Sequence, residues 1–273
     1  MTDAADIPAT LSDRRLAARL APAPVRPQLE ALLAWMEEIE DIPAKAKEPA
    51  ILAMRFAWHR EAVSDLFASP RKVRRHDAYE GLADLLESGA GISAGDLSGL
   101  IDAVEAALDP GTIADRAALA AHIRQHDGQL TRLSARLCGE AGGYPVEMAG
   151  LASGYARWLR GFAFRAGRKF ALMPQTDLDA QDFNIHRLAS GREPALAKAA
   201  LAGVMEDFAA ALSALREAGK CPAALYPALA PARLARATLK ALRQADDLYR
   251  TDFSRSPLTR QLDLLTGSLT GRL

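Results

Sequence analysis

Hydrophobic residues recur every three or four positions along most of the chain, and short proline- and glycine-rich stretches separate these runs. Between Pro27 and Ile39, for example, leucine, methionine and isoleucine follow one another at helical spacing. No stretch keeps up the alternation of β-branched and polar residues that is typical of strands. The pattern therefore predicts an all-α chain.

The breaks divide the chain into a series of predicted helices. These span residues 11–20, 27–39, 48–67, 77–86, 93–108, 114–138, 145–165, 194–218, 231–249 and 257–269. Ser12 and Ser93 are the predicted caps of two of them, and Asp96 follows Ser93 by three residues. The segment 145–165 is apolar on most faces, so we expect it at the centre of the domain. Without a long linker or a fixed repeat, residues 1–273 are expected to form a single domain.

Composition narrows the function classes. The chain has 273 residues, 49% of them hydrophobic, which is enough for one large core. Its 34 basic and 34 acidic residues balance, so no nucleic-acid partner is expected. Cys138 and Cys221 lack the spacing of a zinc site or a disulfide framework. The N-terminus does not resemble a signal peptide. Both observations favour a cytoplasmic location. No segment reaches about 20 uninterrupted apolar residues, so membrane contact is expected to be peripheral at most.

Two acidic groups are candidate metal ligands. The first lies at the end of the second predicted helix and comprises Glu37, Glu38, Glu40 and Asp41. Glu37 and Asp41 are four residues apart, so their carboxylates could share a face and bind Mg²⁺ together with waters and phosphates. A solvated helix end is the alternative. The second group, Asp177, Asp179 and Asp182, follows a proline break, and we interpret it as a helix start.

Two basic segments are candidate ligand sites. The first, residues 55–61, carries Trp58, expected in the core or a pocket wall, and His59, expected to be structural because no nucleophile lies at a readable spacing. The second comprises Arg157, Arg160, Arg165, Arg168 and Lys169. A helix that carries arginines into an apolar interior suggests an anion site or internal ion pairs, and a charged outer stripe is the alternative.

The order of these features resembles the squalene/phytoene synthase family. Residues 11–63 show a helix that ends in Ala-Pro, an acidic motif, and an R-x-x-W helix at Arg55 and Trp58. Residues 151–174 are similar to the family's N-x-x-R-D helix and G-R-x-Y-L-P loop, which places Arg160 at the family's arginine and Arg168 in the loop. The resemblance implies an isoprenoid-synthase-like bundle of about ten or more helices around a central cavity.

The chain differs from that family at the two acidic motifs on which the family's catalysis depends. The resemblance implies two DxxxD-type motifs that hold Mg²⁺ against the substrate diphosphate. The first falls on residues 40–44, where Ala44 replaces the last carboxylate and Pro43 interrupts the helix. In the second, Arg157 replaces the family's asparagine and no carboxylate follows Arg160. We therefore expect neither a metal site nor a cofactor, and no catalysis.

A second pattern, E-x-x-x-I-P…E-P…R-x-x-W-x-R, resembles a divergent branch of the family that includes the mitochondrial complex I (NADH:ubiquinone oxidoreductase) assembly factor and its bacterial relatives. Its matches are Glu38, Ile42-Pro43, Glu48-Pro49, Arg55, Trp58 and Arg60. The resemblance implies a non-catalytic protein that helps to assemble or maintain a respiratory complex, or that binds a prenyl or lipid ligand. Its expected partners are a subunit of that complex and such a ligand, and its expected location is the cytoplasm or the periphery of the inner membrane.

The candidate ligand-binding residues are Arg55, Trp58, Arg60, Arg157, Arg160 and Arg168. Two alternatives remain open. One is an active Mg²⁺-dependent prenyltransferase that condenses two prenyl diphosphates head to head, with Glu37, Glu40 and Asp41 as candidate catalytic residues and the aspartates of residues 177–182 as substitute metal ligands. The other is a helical interaction module whose cavity is filled by side chains.

Overall fold

The structure is a computed structural model that describes residues 8–46, 48–108, 113–140, 142–163 and 173–273. Helices make up most of the described chain, as the hydrophobic pattern predicts. Those before residue 140 are α1 (Pro8–Ala18), α2 (Arg26–Glu40), α3 (Ile42–Lys45), α4 (Pro49–Leu66), α5 (Asp77–Glu87), α6 (Ala94–Ala106), α7 (Arg116–Ile123), a π-helical segment (Arg124–Gly128) and α8 (Gln129–Leu137). Those after it are α9 (Val146–Arg160), α10 (Gln175–Asp179), α11 (Ile185–Ser190), α12 (Pro194–Ala200), α13 (Ala202–Glu217), α14 (Tyr226–Leu229), α15 (Pro231–Gln244) and α16 (Pro257–Thr270).

Local sequence signals set many of these boundaries. Prolines lie in the first turn of α2, α4, α12, α15 and α16, where their missing N–H costs no hydrogen bond. The predicted cap at Ser93 is confirmed, because its hydroxyl accepts from the Asp96 N–H at 3.1 Å while the Asp96 carboxylate accepts from the Ser93 N–H at 3.0 Å. These prolines and the Ser93 cap therefore mark helix starts that can be recognised in the sequence.

Several predicted boundaries are wrong. The single helix expected over 114–138 is two helices joined by the π-helical segment, and Leu201 divides the helix expected over 194–218 into α12 and α13. Ser12 is not a cap, because α1 begins at Pro8. The helix expected to reach residue 249 ends at Gln244, and the short α3, α11 and α14 were not predicted. The end of the helix expected over 145–165 lies outside the described residues.

Helix α9 lies at the centre of the domain, as its apolar faces predict. It packs against the π-helical segment, α8, α13 and α15. Glycines allow the close approach to the π-helical segment, since a Cβ on Gly154 would lie 2.2 Å from Ile123 Cγ2 and one on Gly150 would lie 2.8 Å from Gly128 Cα. The side chains between these two elements are therefore held in a tight, buried layer.

The other helices pack around this centre. Helix α2 lies against α1 and α5, α4 against α6, and α16 against α15. Cys138 and Cys221 are both buried and unbridged. Among the described helices, none is both long enough and apolar enough to cross a membrane.

Candidate functional site

Five ionisable side chains meet between α1, α2, the π-helical segment and α9. They are Arg14, Glu40, His126, Asp127 and Arg157, and we call them the ionic core. Glu40 and Arg157 belong to the two segments that align with the acidic motifs of the resembled family. The structure therefore brings the two motif positions together, as the resemblance implies.

Asp127 is the hub of the ionic core and is only 1% exposed. Its carboxylate accepts from Arg14 Nη2 at 2.7 Å, and from Arg157 Nε at 3.0 Å and Nη2 at 2.6 Å. Burial alone would raise the pKa of Asp127, but the charge of Arg157 and the hydrogen bonds from His126 and Arg157 outweigh it and hold the pKa well below its usual range. Asp127 is therefore an anion whose acceptor sites are used within the protein.

Glu40 closes the other side of the ionic core. Its Oε1 accepts from Arg14 Nη1 at 3.1 Å and lies 3.0 Å from His126 Nε2. Burial opposes ionisation here too, but Arg14 and His126 overcome it and lower the pKa of Glu40 to about 2. Arg14 thus bridges both carboxylates, and two guanidinium groups balance two acids, of which Asp127 is fully buried and Glu40 is 11% exposed. This charge balance stabilises buried ions that would otherwise be strongly unfavourable.

The π-helical segment explains how two consecutive side chains both reach the interior. His126 and Asp127 are buried next to one another, and the helix is α-helical again from Gln129 onward. Wider π turns of this kind are often found at functional sites, because they re-aim side chains within an otherwise regular helix. Here the turn directs both groups at α2 and α9.

A second buried acid ties the ends of the chain to the centre. Asp13 accepts from Arg160 Nη1 at 3.1 Å and from Arg260 Nη1 at 2.7 Å, which joins α1, α9 and α16. Arg160, a predicted ligand-binding residue, thus contacts an internal acid. Arg168, predicted to bind the same ligand, lies outside the described residues.

The predicted residues of α4 lie elsewhere. Arg60 pairs with Asp102 at 2.6 Å and with Glu105, both on α6, and Arg55 is exposed. Helix α4, which carries Arg55 and Arg60, packs on α6, whereas α9, which carries Arg157, packs on the π-helical segment. A ligand-binding role for these arginines stays a prediction. Trp58 is half-buried beside α5.

His59 has a structural environment. It is buried, and its Nδ1 lies 2.8 Å from the hydroxyl of Tyr79. Burial lowers the pKa of His59 to about 4, so the ring is neutral at physiological pH. Its contacts are those of a satisfied core histidine, in keeping with the prediction from sequence.

The acids predicted as metal ligands do not converge. Glu37 pairs with Arg15, and Asp41 is exposed, with its nearest cation, Lys45, 3.9 Å away. Asp177 lies in the first turn of α10 beside Arg116, in keeping with a helix start. Neither Asp177 nor Asp179 caps this helix, because its N-cap is Pro174, and Asp179, its last residue, accepts from the Gln175 amide. The four acids at the end of α2 have different partners: Glu37 pairs with Arg15, Glu38 with Lys45 and Glu40 with Arg14, and Asp41 is exposed.

Magnesium does not fit the ionic core. Mg²⁺ prefers oxygen ligands in octahedral geometry and retains several waters, so it requires carboxylates with free coordination positions. Both carboxylates of the ionic core already accept from guanidinium groups. Within the part of the chain that the structure describes, no three histidine, cysteine, aspartate or glutamate side chains are placed to hold a metal ion together.

A small cavity borders Arg14 between α1, α2 and α8. Its volume is about 20 Å³, and polar atoms of Ser134 and Ser153 contribute to its lining. This is space for about one water molecule, whereas pockets for drug-sized ligands measure roughly 300 Å³ or more. The cavity beside Arg14 is therefore too small for a prenyl chain.

Four of the central residues were not predicted from the sequence: Asp13, Arg14, His126 and Asp127. A signal was present, because His126 and Asp127 fall on the stripe that carries Ile123 and Leu130 in the same helical run. Charged residues on an otherwise apolar stripe are expected to be buried and paired.

The fold of this chain is similar to that of known proteins, and its sequence matches a family model. The fold is similar to the crystal structure of a dehydrosqualene synthase in complex with ligand, with a TM-score of 0.70 and 12% identity, covering 93% of this chain and 89% of that one. It is also similar to the squalene synthase HpnC from Alicyclobacillus acidocaldarius, with a TM-score of 0.62 and 16% identity, covering 94% and 88%. No curated protein sequence matches the chain. The family model described as squalene/phytoene synthase matches residues 8–261, which is nearly the whole chain. The all-α isoprenoid synthase fold expected from the sequence is thus confirmed, and the chain belongs to the squalene/phytoene synthase family.

Proposed function

We propose that this chain is a non-catalytic member of its family that acts in the assembly or maintenance of a respiratory complex of the complex I type. The observation that carries the proposal is the ionic core. Where the resemblance would place Mg²⁺ and its carboxylates, Arg14 and Arg157 occupy the space between α2 and α9. Their positive charges neutralise the carboxylates of Glu40 and Asp127, as a bound metal ion would.

The internal ion pairs oppose ionisation of a prenyl diphosphate, because within the ionic core they leave neither free carboxylates for Mg²⁺ nor free guanidinium groups for the diphosphate. A diphosphate leaving group requires neutralisation in the transition state, and the family's Mg²⁺ ions supply it. The guanidinium groups of Arg14 and Arg157 are already engaged by buried carboxylates, so a substrate would have to break those pairs. Breaking a buried pair costs about 3–5 kcal/mol, which would be subtracted from substrate binding.

The assembly role rests on the resemblance of the α2–α4 region to the assembly-factor branch. The matched residues lie in the described structure. Ile42 is buried in the core, Trp58 is half-buried, Arg60 pairs across to α6, and Arg55 is exposed. A surface that is exposed in the isolated chain is available to a protein partner. We propose that Arg55, Trp58 and Arg60 contact such a partner. Arg157 and Arg160, in contrast, pair with the internal acids Asp127 and Asp13.

The competing function is Mg²⁺-dependent head-to-head condensation of prenyl diphosphates. The family match and the likeness to a dehydrosqualene synthase favour it. The decisive experiment incubates the chain with labelled farnesyl or geranylgeranyl diphosphate and Mg²⁺, with an active family enzyme as the positive control. We expect no condensed product above a protein-free blank. Product that disappears in the Glu40→Ala, Asp41→Ala double variant would overturn the non-catalytic assignment.

The assembly role has a separate test. The gene is deleted in its host, and the membranes are assayed for NADH:ubiquinone oxidoreductase activity and for intact complex on native gels. We expect both to fall and to be restored by the wild-type chain and by the Glu40→Ala, Asp41→Ala variant, if that variant remains folded. Unchanged complex levels in the deletion strain would exclude this role.

A further inference from the structure

The C-terminal helix α16 exposes a row of leucines to solvent. They are Leu258, Leu262, Leu265 and Leu269. Their spacing of four, three and four residues puts them on one side of the helix, and Leu269 is 89% exposed. Single exposed leucines are ordinary, but an aligned row of four is a feature that marks an interaction surface.

Polar contacts fix this row in its outward orientation. The opposite side of α16 is held by the Tyr226 hydroxyl, which donates to the Leu264 carbonyl at 2.8 Å, and by Arg233, which pairs with Asp263 at 2.8 Å. A Cβ on Gly267 would lie 2.0 Å from the Tyr226 hydroxyl oxygen, so the helix fits closely there. Turning the leucines inward would break these contacts, and the apolar row is therefore a permanent outer surface.

Helix α15, which packs against α16, carries a row of cations. Its exposed basic residues are Arg236, Lys240 and Arg243, at helical spacing, and α15 contains no acidic residue. The only acid on α16, Asp263, is turned towards Arg233 and Arg255. Three basic side chains and one carboxylate, Asp263, line the groove between α15 and α16, which leaves an excess of positive charge there. An apolar row on one helix and exposed cations on the neighbouring helix are complementary to a bilayer, whose surface is anionic and whose interior is apolar.

The flanks of the leucine row argue against a helical protein partner. They consist of short, uncharged residues: Thr259, Gln261, Thr266, Ser268 and Thr270. Paired helices usually carry complementary charges at these flanking positions, and α16 carries none there. A twofold pairing of α16 with a second copy would also bring two basic rows to the same interface, where they would repel.

We propose that α16 and α15 form a docking surface for an anionic lipid bilayer, with the leucine row in the headgroup region and Arg236, Lys240 and Arg243 against lipid phosphates. Interfacial helices bind through this combination of buried apolar area and attraction to anionic lipids. The surface is separate from the ionic core, so the proposal stands whether or not the chain is catalytic.

The test is co-sedimentation with vesicles of equal parts phosphatidylcholine and phosphatidylglycerol, and with vesicles of phosphatidylcholine alone. The wild-type chain is expected to bind the anionic vesicles and to lose binding as salt rises. Leu262→Ser with Leu269→Ser should weaken binding at least about tenfold, since two exposed apolar side chains leave the interface. Arg236→Gln with Lys240→Gln should remove most of the preference for phosphatidylglycerol.

The matched controls remove an exposed apolar or basic residue elsewhere. Met54→Ser on α4 and Lys72→Gln in the loop before α5 should bind as the wild type does. Unchanged thermal unfolding of each variant shows that the fold is retained. The proposal is overturned if the wild-type chain does not bind anionic vesicles, or if the leucine variant binds as well as the wild type. It is equally overturned if light scattering shows a dimer that the leucine variant disrupts.

Discussion

The charge balance of the ionic core predicts a large effect from one conservative substitution. Asp127→Asn keeps the size of the side chain but removes a buried negative charge that contacts Arg14 and Arg157. Two guanidinium groups then face only Glu40. Removing one partner of a buried ion pair costs about 3–5 kcal/mol, because the remaining charge stays buried without compensation. We expect this loss in the free energy of unfolding, measured by urea denaturation followed by circular dichroism.

The matched control is Asp102→Asn, which removes a carboxylate from the exposed pair with Arg60. Exposed pairs contribute about 0–1 kcal/mol, so this variant should remain close to the wild type. Adding Arg157→Gln to Asp127→Asn restores equal numbers of charges and should recover part of the loss, as a double-mutant cycle would show. A loss in Asp127→Asn no greater than that in Asp102→Asn would refute the view that Asp127 balances buried cations.

Three further predictions concern the same centre and its frame. Because the pKa of Glu40 falls from an ordinary 4.5 to about 2, its ionised form stabilises the fold above pH 4.5. This contribution, on the order of 3 kcal/mol, should be lost as pH falls towards 2, and Glu40→Gln should flatten the acid limb of a pH-dependent unfolding curve. Gly154→Ala should cost about 1–3 kcal/mol by thermal unfolding, since its Cβ would meet Ile123, whereas Gly99→Ala, which meets nothing within 4 Å, should be neutral or stabilising. Ser93→Ala should cost about 1 kcal/mol in the same assay, and an equal stability would contradict the capping box.

The fold was largely predictable because its signals are local. Proline in the first turn, the Ser93–Asp96 cap and the 3.6-residue periodicity act within a few residues, and they locate most of the helices. The π-helical segment was not predictable in this way, since it packs closely against Gly150 and Gly154 of α9, a contact that the local sequence does not reveal. Short helices such as α14 also depend on packing more than on their own sequence.

The candidate site was predictable only in part. Arg157 and Arg160 attract attention as cations in an apolar helix, but their acids, Asp127 and Asp13, lie 30 and 147 residues away in sequence. Pairing over such distances is set by the tertiary fold. Family resemblance placed Glu40 and Arg157 on facing helices and identified the lost carboxylates, but it gave no indication that Arg14 would bridge Glu40 and Asp127.

The most direct test of the central claim is a crystal structure of the chain grown with Mg²⁺ and a non-hydrolysable farnesyl diphosphate analogue. The replacement of a metal site by internal ion pairs predicts that Asp127 remains bound to Arg14 and Arg157, with no metal between α2 and α9. A Mg²⁺ ion ligated by Glu40 and the analogue's diphosphate, with the Arg14 side chain displaced, would contradict it.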